Sequence, residues 1–171
     1  MLIAIDPGPE TSGVAVLSPM SEGPPIVIST MRDATHKQVR DMMWKKYKVG
    51  ADIVVYEWLT SYGAPMGRSV LETARVCGMI EAWSHFNAHG ITRPDIKLEL
   101  CQSRRAKTKH VSEAIREIYR AGCPHLLGDG KNPVVGTKNK QGPLYGIALS
   151  QHEGAALAVG LAWLRNQGAT W

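Results

Sequence analysis

The stretch Leu2-Ile3-Ala4-Ile5-Asp6-Pro7-Gly8-Pro9, read together with Gly13-Val14-Ala15-Val16-Leu17, decides the fold of this chain. Four apolar residues stopped by an acid and a Pro-Gly turn predict a buried strand. A second apolar run follows within a few residues. A third, Pro25-Ile26-Val27-Ile28-Ser29-Thr30, comes after the turn Ser21-Glu22-Gly23-Pro24. Parallel pairing needs a long crossover, so links this short predict an antiparallel meander.

Working outward, Thr35 to Lys48 reads as a helix, with Val39, Met42, Met43 and Tyr47 spaced to face a core. The β-branched run Ile53-Val54-Val55-Tyr56 is then a buried fourth strand reached by a helical crossover, hence parallel to its neighbour. Gly67 to Phe86 predicts a second helix, Ile96 to Leu100 alternates as a fifth strand, and Thr108 to Tyr119 predicts a third helix. Residues 122 to 147, rich in Gly, Pro, Asn and Lys, read as a long loop. Ser150 to Asn166 closes the chain as an Ala-rich helix. The expected architecture is α/β: a mixed five-stranded sheet, three strands antiparallel and then two parallel, flanked by helices. Trp44, Trp83 and Trp163 fall at apolar helical positions and are expected in the core.

With 171 residues, 44% of them apolar and 20% charged, the chain suits one domain over 1–171 and is not disordered. The longest nearly apolar run, Ala155 to Leu164, is too short to span a membrane, and Met1 to Ile5 is too short for a secretory leader. Cys77, Cys101 and Cys123 match no zinc spacing and suit a reducing cytoplasm, the expected location. Net charge is +5 and unevenly placed. Nine basic residues stand against three acids between Cys101 and Lys140, while the rest is nearly balanced. Such a zone is the footprint of a polyanion, nucleic acid above all.

Asp6 ends the first strand and Glu57 directly follows the fourth. Ligands of open α/β sheets gather at the carboxyl ends of strands. If these two strands are adjacent and parallel, the carboxylates converge, and a hard dication such as Mg²⁺ or Mn²⁺ relieves their repulsion. His152-Glu153 opens the last helix and adds a third donor group. Glu153 has a second reading: Ser150-Gln151-His152-Glu153 fits the Ser-x-x-Glu capping box, in which Glu turns back onto the helix start.

Ile3-Ala4-Ile5-Asp6-Pro7-Gly8 with Thr11-Ser12-Gly13-Val14-Ala15-Val16, then Val54-Val55-Tyr56-Glu57 with the Gly67…Ala74-Arg75…Gly78 helix, and finally Ala155-Ala156-Leu157-Ala158-Val159-Gly160 resemble, in order, the motifs of the RuvC family of Holliday-junction resolvases. Gly142-Pro143-Leu144-Tyr145-Gly146 is similar to the loop before the last motif in short, phage-type members. The resemblance implies an RNase H-like fold and a homodimeric endonuclease that nicks four-way DNA junctions in pairs. It implies two Mg²⁺ ions, with Mn²⁺ able to substitute, held by Asp6, Glu57 and either His152 or Glu153. Arg104, Arg105, Lys107 and Lys109 are implied as DNA contacts, joined by Arg68, Lys138, Lys140 and a base-stacking Tyr62, and one of Lys107 or Lys109 would steady the transition state. The family's closing helix carries an Asp three positions after its first ligand. Here that position is Ala155, which leaves open whether His152 suffices, Glu153 supplies the missing oxygen, or the chain binds junctions without cutting them. A related nuclease acting on other branched DNA or on hybrids is the neighbouring alternative. An actin-like ATPase also opens with an apolar strand, Asp and Gly, but needs two related lobes, and no internal repeat supplies them.

Overall fold

In the computed structural model, residues 1–47, 53–60, 66–85, 87–122, 135 and 142–171 are described. Three strands lead: β1 (Leu2–Asp6), β2 (Thr11–Ser18) and β3 (Ile26–Thr35). They form the expected antiparallel meander, with Asp6 opposite Gly13 and Thr11 opposite Thr35. Helix α1 (His36–Tyr47) crosses to β4 (Ile53–Trp58), which pairs parallel with β1, Ile5 beside Tyr56. Helix α2 (Arg68–Trp83) crosses to β5 (Ala88–Thr92), which extends the parallel half, so the order is β3-β2-β1-β4-β5. The chain ends in α3 (Arg93–Cys101), α4 (Thr108–Gly122) and α5 (His152–Asn166).

Alternation of side chains along β1 and β4 divides the interior in two. Ile3, Ile5, Val54 and Tyr56 pack with Val39 and Met43 of α1 and Val76 and Ile80 of α2. Leu2, Ala4 and Val55 face the other way, onto α3, α4 and an almost wholly buried α5. Asp6 and Glu57 stand one position beyond the Ile5–Tyr56 pair and so share the α5 face. Helix α5 lies very close to the sheet there. A Cβ on Gly13 would sit 2.1 Å from the His152 carbonyl oxygen, and one on Gly160 would sit 2.5 Å from Leu17 and 3.0 Å from Ala4.

The fifth strand lies elsewhere than expected. Ile96 to Leu100 is part of α3, and the strand is Ala88–Thr92. Alternation would bury Leu98 along with Ile96 and Leu100. Instead Ile96 and Leu100 are buried at helical i, i+4 spacing, and Leu98 is 40% exposed. Capping decides between the two periods: the Thr92 side chain accepts from the Asp95 amide, Pro94 sits in the first turn and Asp95 adds an acid there. Strand β5 is hard to see in Ala-His-Gly-Ile-Thr, where only Ile91 is buried.

Of the tryptophans expected in the core, Trp44 is exposed, with the Arg40 guanidinium 5.6 Å from its ring, while Trp83 and Trp163 are half-buried and pack against the two core clusters. The long loop expected over 122–147 falls mostly outside the described residues.

Candidate active site

A cleft of about 250 Å³ opens where β1 and β4 end, lined by Asp6, Glu57, His152, Arg93, Lys97 and Ala155 among others. Three of these come from the expected set and arrive from three elements far apart in sequence. His152 is the first residue of α5, and the close approach of that helix over Gly13 brings its imidazole to Asp6: Nδ1 lies 2.8 Å from Asp6 Oδ2. The Asp6 side chain is 10% exposed and that of His152 is 50% exposed. In the Nδ1–H tautomer the imidazole donates to the Asp6 oxygen and keeps Nε2 for another partner.

Glu57 points into the same cleft but is already held. Arg93 Nε donates to its Oε1 at 2.7 Å and Nη2 to its Oε2 at 3.0 Å. Burial pushes the Glu57 carboxyl above the usual carboxylate range, the Arg93 bonds pull it back down, and the negative charge of Asp6 pushes it up again. The two acids therefore feel each other, as neighbours in register must. Their carboxylate oxygens are the donors a hard dication prefers, and His152 adds an imidazole nitrogen beside them. As they stand, Asp6 faces His152 and Glu57 faces Arg93, and among the described residues no group of three His, Cys, Asp or Glu side chains is placed to hold a metal ion.

Glu153 is placed differently. Its side chain is 4% exposed, turned away from the cleft lining. Arg32 on β3 donates Nε to its Oε2 at 2.8 Å and Nη2 to its Oε1 at 3.0 Å, while the Ala148 amide donates to Oε1 at 2.8 Å. These bonds hold its carboxyl below the ordinary range, the Arg32 hydrogen bond contributing most. The capping box read from Ser150 to Glu153 does not form. Gln151 is the N-cap, without a side-chain bond, and Glu153 reaches back past Ser150 to Ala148. Ala155, one turn after His152, does line the cleft.

Arg104, Arg105, Lys107 and Lys109 are exposed in the turn between α3 and α4 and at the start of α4, not directly after a strand. Thr108, among them, lines the cleft, so this basic turn borders it. Arg104 pairs loosely with Asp95 at 3.3 Å. Arg68 is almost fully exposed and bonded to Glu72 one turn on. Tyr62, Lys138 and Lys140 lie outside the described residues. Arg93 and Lys97 escape a reading of the sequence. They stand at i, i+4 on a helix whose stretch reads as a strand, and no motif marks them.

Helix α2 turns Thr73, Val76, Cys77 and Ile80 inward. Leu71, Ala74 and Gly78 are exposed on its other side, so that small-residue face is not spent on the protein's own sheet.

A meander followed by two parallel strands, with acids ending β1 and β4 and a closing helix laid across them, is the RNase H-like fold. Among solved structures the chain is similar to RuvC of Thermus thermophilus, alone (98% of this chain, 96% of that one) and in complex with a Holliday junction substrate (98% and 95%), each at a TM-score of 0.62 and 14% identity. The Fowlpox virus resolvase, in complex with its substrate Holliday junction DNA, aligns over 97% of this chain and 99% of its own at a TM-score of 0.49 and 14% identity. No protein-family model matches the sequence, and no curated protein does. No helix among the described residues is long and apolar enough to cross a membrane.

Proposed function

We propose that this chain, as one domain over residues 1–171, is a metal-dependent endonuclease that resolves four-way DNA junctions by paired nicks in the cytoplasm. The observation that carries the reading is the meeting of Asp6, Glu57 and His152 in one cleft beside a basic turn. Asp6 would help hold both of two Mg²⁺ ions, Glu57 would help hold one of them, and His152 would help hold the other or take the proton of the attacking water. Bound Mg²⁺, or Mn²⁺ in its place, supplies charge relief on the attacked phosphate. Arg104, Arg105, Lys107 and Lys109 grip phosphates, which gives affinity and register without sequence choice. Arg68, Lys138 and Lys140 are further DNA contacts, and Tyr62 is the aromatic that stacks on unpaired bases. Glu153 sits outside the ligand set because its carboxylate is committed to Arg32 and Ala148. Four-way junctions have two-fold symmetry, and the exposed α2 face around Leu71 and Gly78 suits a symmetric dimer that reads them.

The test offers the purified protein a junction, a linear duplex, a flap and an RNA–DNA hybrid with Mg²⁺, Mn²⁺ or EDTA. Paired nicks on the junction that vanish in EDTA are the expected result, and Asp6→Asn is expected to bind the junction without cutting it. Cutting that survives Asp6→Asn overturns the metal assignment, and selective cutting of flap or hybrid overturns the substrate. A second reading is favoured by Ala155, which puts a methyl group where the resembled family carries an acid: a junction-binding protein without catalysis. It predicts tight junction binding and no cleavage with either ion.

A further inference from the structure

Arg93 forks onto Glu57 as Arg32 forks onto Glu153, but unlike Arg32 it lines the cleft. Its fork spans both carboxylate oxygens, yet its side chain is 53% exposed while that of Glu57 is 15% exposed. It is the first residue of α3, at the rim of the cleft, on a long stem that can swing outward while the helix stays capped by Thr92. Lys97, one turn on, lines the same wall. Both Glu57 oxygens carry an Arg93 bond, so a dication that takes Glu57 competes with the guanidinium for it. The displaced guanidinium is left beside a doubly charged ion, at the surface where a nucleic-acid backbone would lie. Planar, bidentate recognition suits Arg equally to carboxylate and to phosphate, so both partners match the same fork.

We propose that Arg93 is a two-position residue, bonded to Glu57 until a divalent cation takes that carboxylate and then bonded to a DNA phosphate. This rests on the nuclease reading above and adds a consequence to it. Metal and DNA each favour the same displaced Arg93, so each strengthens the binding of the other, and the coupling is reciprocal. Arg93 also acts in opposite directions on the two ligands, competing with the metal and assisting the DNA.

The test is the Arg93→Met protein, with Arg93→Lys beside it and melting curves to confirm folding. Mn²⁺ binding is read without DNA, from the spin-resonance signal of free ion. Junction binding is read by fluorescence anisotropy in EDTA and in Ca²⁺. For the unaltered protein, the cation is expected to tighten junction binding by about tenfold, within the usual range of such couplings. Arg93→Met is expected to bind Mn²⁺ several-fold more tightly than the unaltered protein and to lose most of the cation-dependent gain in junction binding. Arg93→Lys, which keeps the charge without the fork, falls between them. Simple loss of structure would weaken both ligands together, so the opposite signs are diagnostic. If Arg93→Met binds Mn²⁺ no more tightly, or keeps the full cation-dependent gain, this proposal is overturned and the nuclease reading stands. If the unaltered protein binds no Mn²⁺ at all, the metal site itself fails, and this proposal with it.

Discussion

Asp6 and His152 are separated by 146 positions in the chain and 2.8 Å in space. The acid was legible because it interrupts an apolar strand, and the histidine because it opens a helix. Their direct contact was not. Neither was the role of Glu153, whose place in a Ser-x-x-Glu pattern suggested a cap or a ligand. The structure instead gives it a buried ion pair that ties β3 to the start of α5. Removing one partner of such a pair leaves the other uncompensated. Arg32 is half-exposed and solvent screens its charge, so Arg32→Met is expected to lower the denaturant midpoint only modestly. The pH dependence follows in sign. The folded carboxyl of Glu153 lies below its unfolded value, so its stabilisation is present above the ordinary carboxylate range and is lost as pH falls through the depressed value. Unfolding midpoints measured from pH 7 down to pH 3 are expected to fall less steeply in Arg32→Met than in the unaltered chain. Ala155 invites the converse change. Ala155→Asp places a carboxylate one turn from His152 on the cleft wall, and tighter Mn²⁺ binding in calorimetry is the expected outcome.

At the level of elements, the meander and the parallel β4 were legible because their apolar runs are bounded by strong turn signals. Strand β5 and helix α3 were not, because Ile-Lys-Leu-Glu-Leu satisfies a period of two and an i, i+4 spacing alike, and the cap residues just before it decide the matter. Helix α5 shows what small residues are for. Gly160 lets it lie against Ala4 and Leu17, and the same close approach at Gly13 carries His152 to Asp6. Gly160→Val is expected to push the helix off the sheet, lowering the melting temperature by several degrees, as overpacking of about 1–3 kcal/mol does. On α2 the exposed face calls for a different measurement. Leu71→Glu leaves the core untouched, so it is expected to shift sedimentation toward a monomer while the melting curve of the dilute protein stays in place.

For the whole molecule, the charge imbalance becomes a matter of placement. The basic turn between α3 and α4 stands beside the cleft, so the positive charge and the acids Asp6 and Glu57 fall on one side of the sheet. Replacing Arg104, Arg105, Lys107 and Lys109 together by Gln is expected to weaken all DNA binding without regard to sequence. The slope of log affinity against log salt should fall by about 3.6 if each of the four makes one phosphate contact, since each contact contributes roughly 0.9. An unchanged slope would move the DNA to another face. By itself the sequence determined the three-stranded meander, the crossover to a parallel fourth strand and the acids that end β1 and β4, because apolar period and turn chemistry act within about ten residues. Only the tertiary structure decided that Glu153 belongs to Arg32 and Glu57 to Arg93, pairs 121 and 36 positions apart. Which charges meet depends on how closely packed helices come to the sheet, and no local pattern carries that distance.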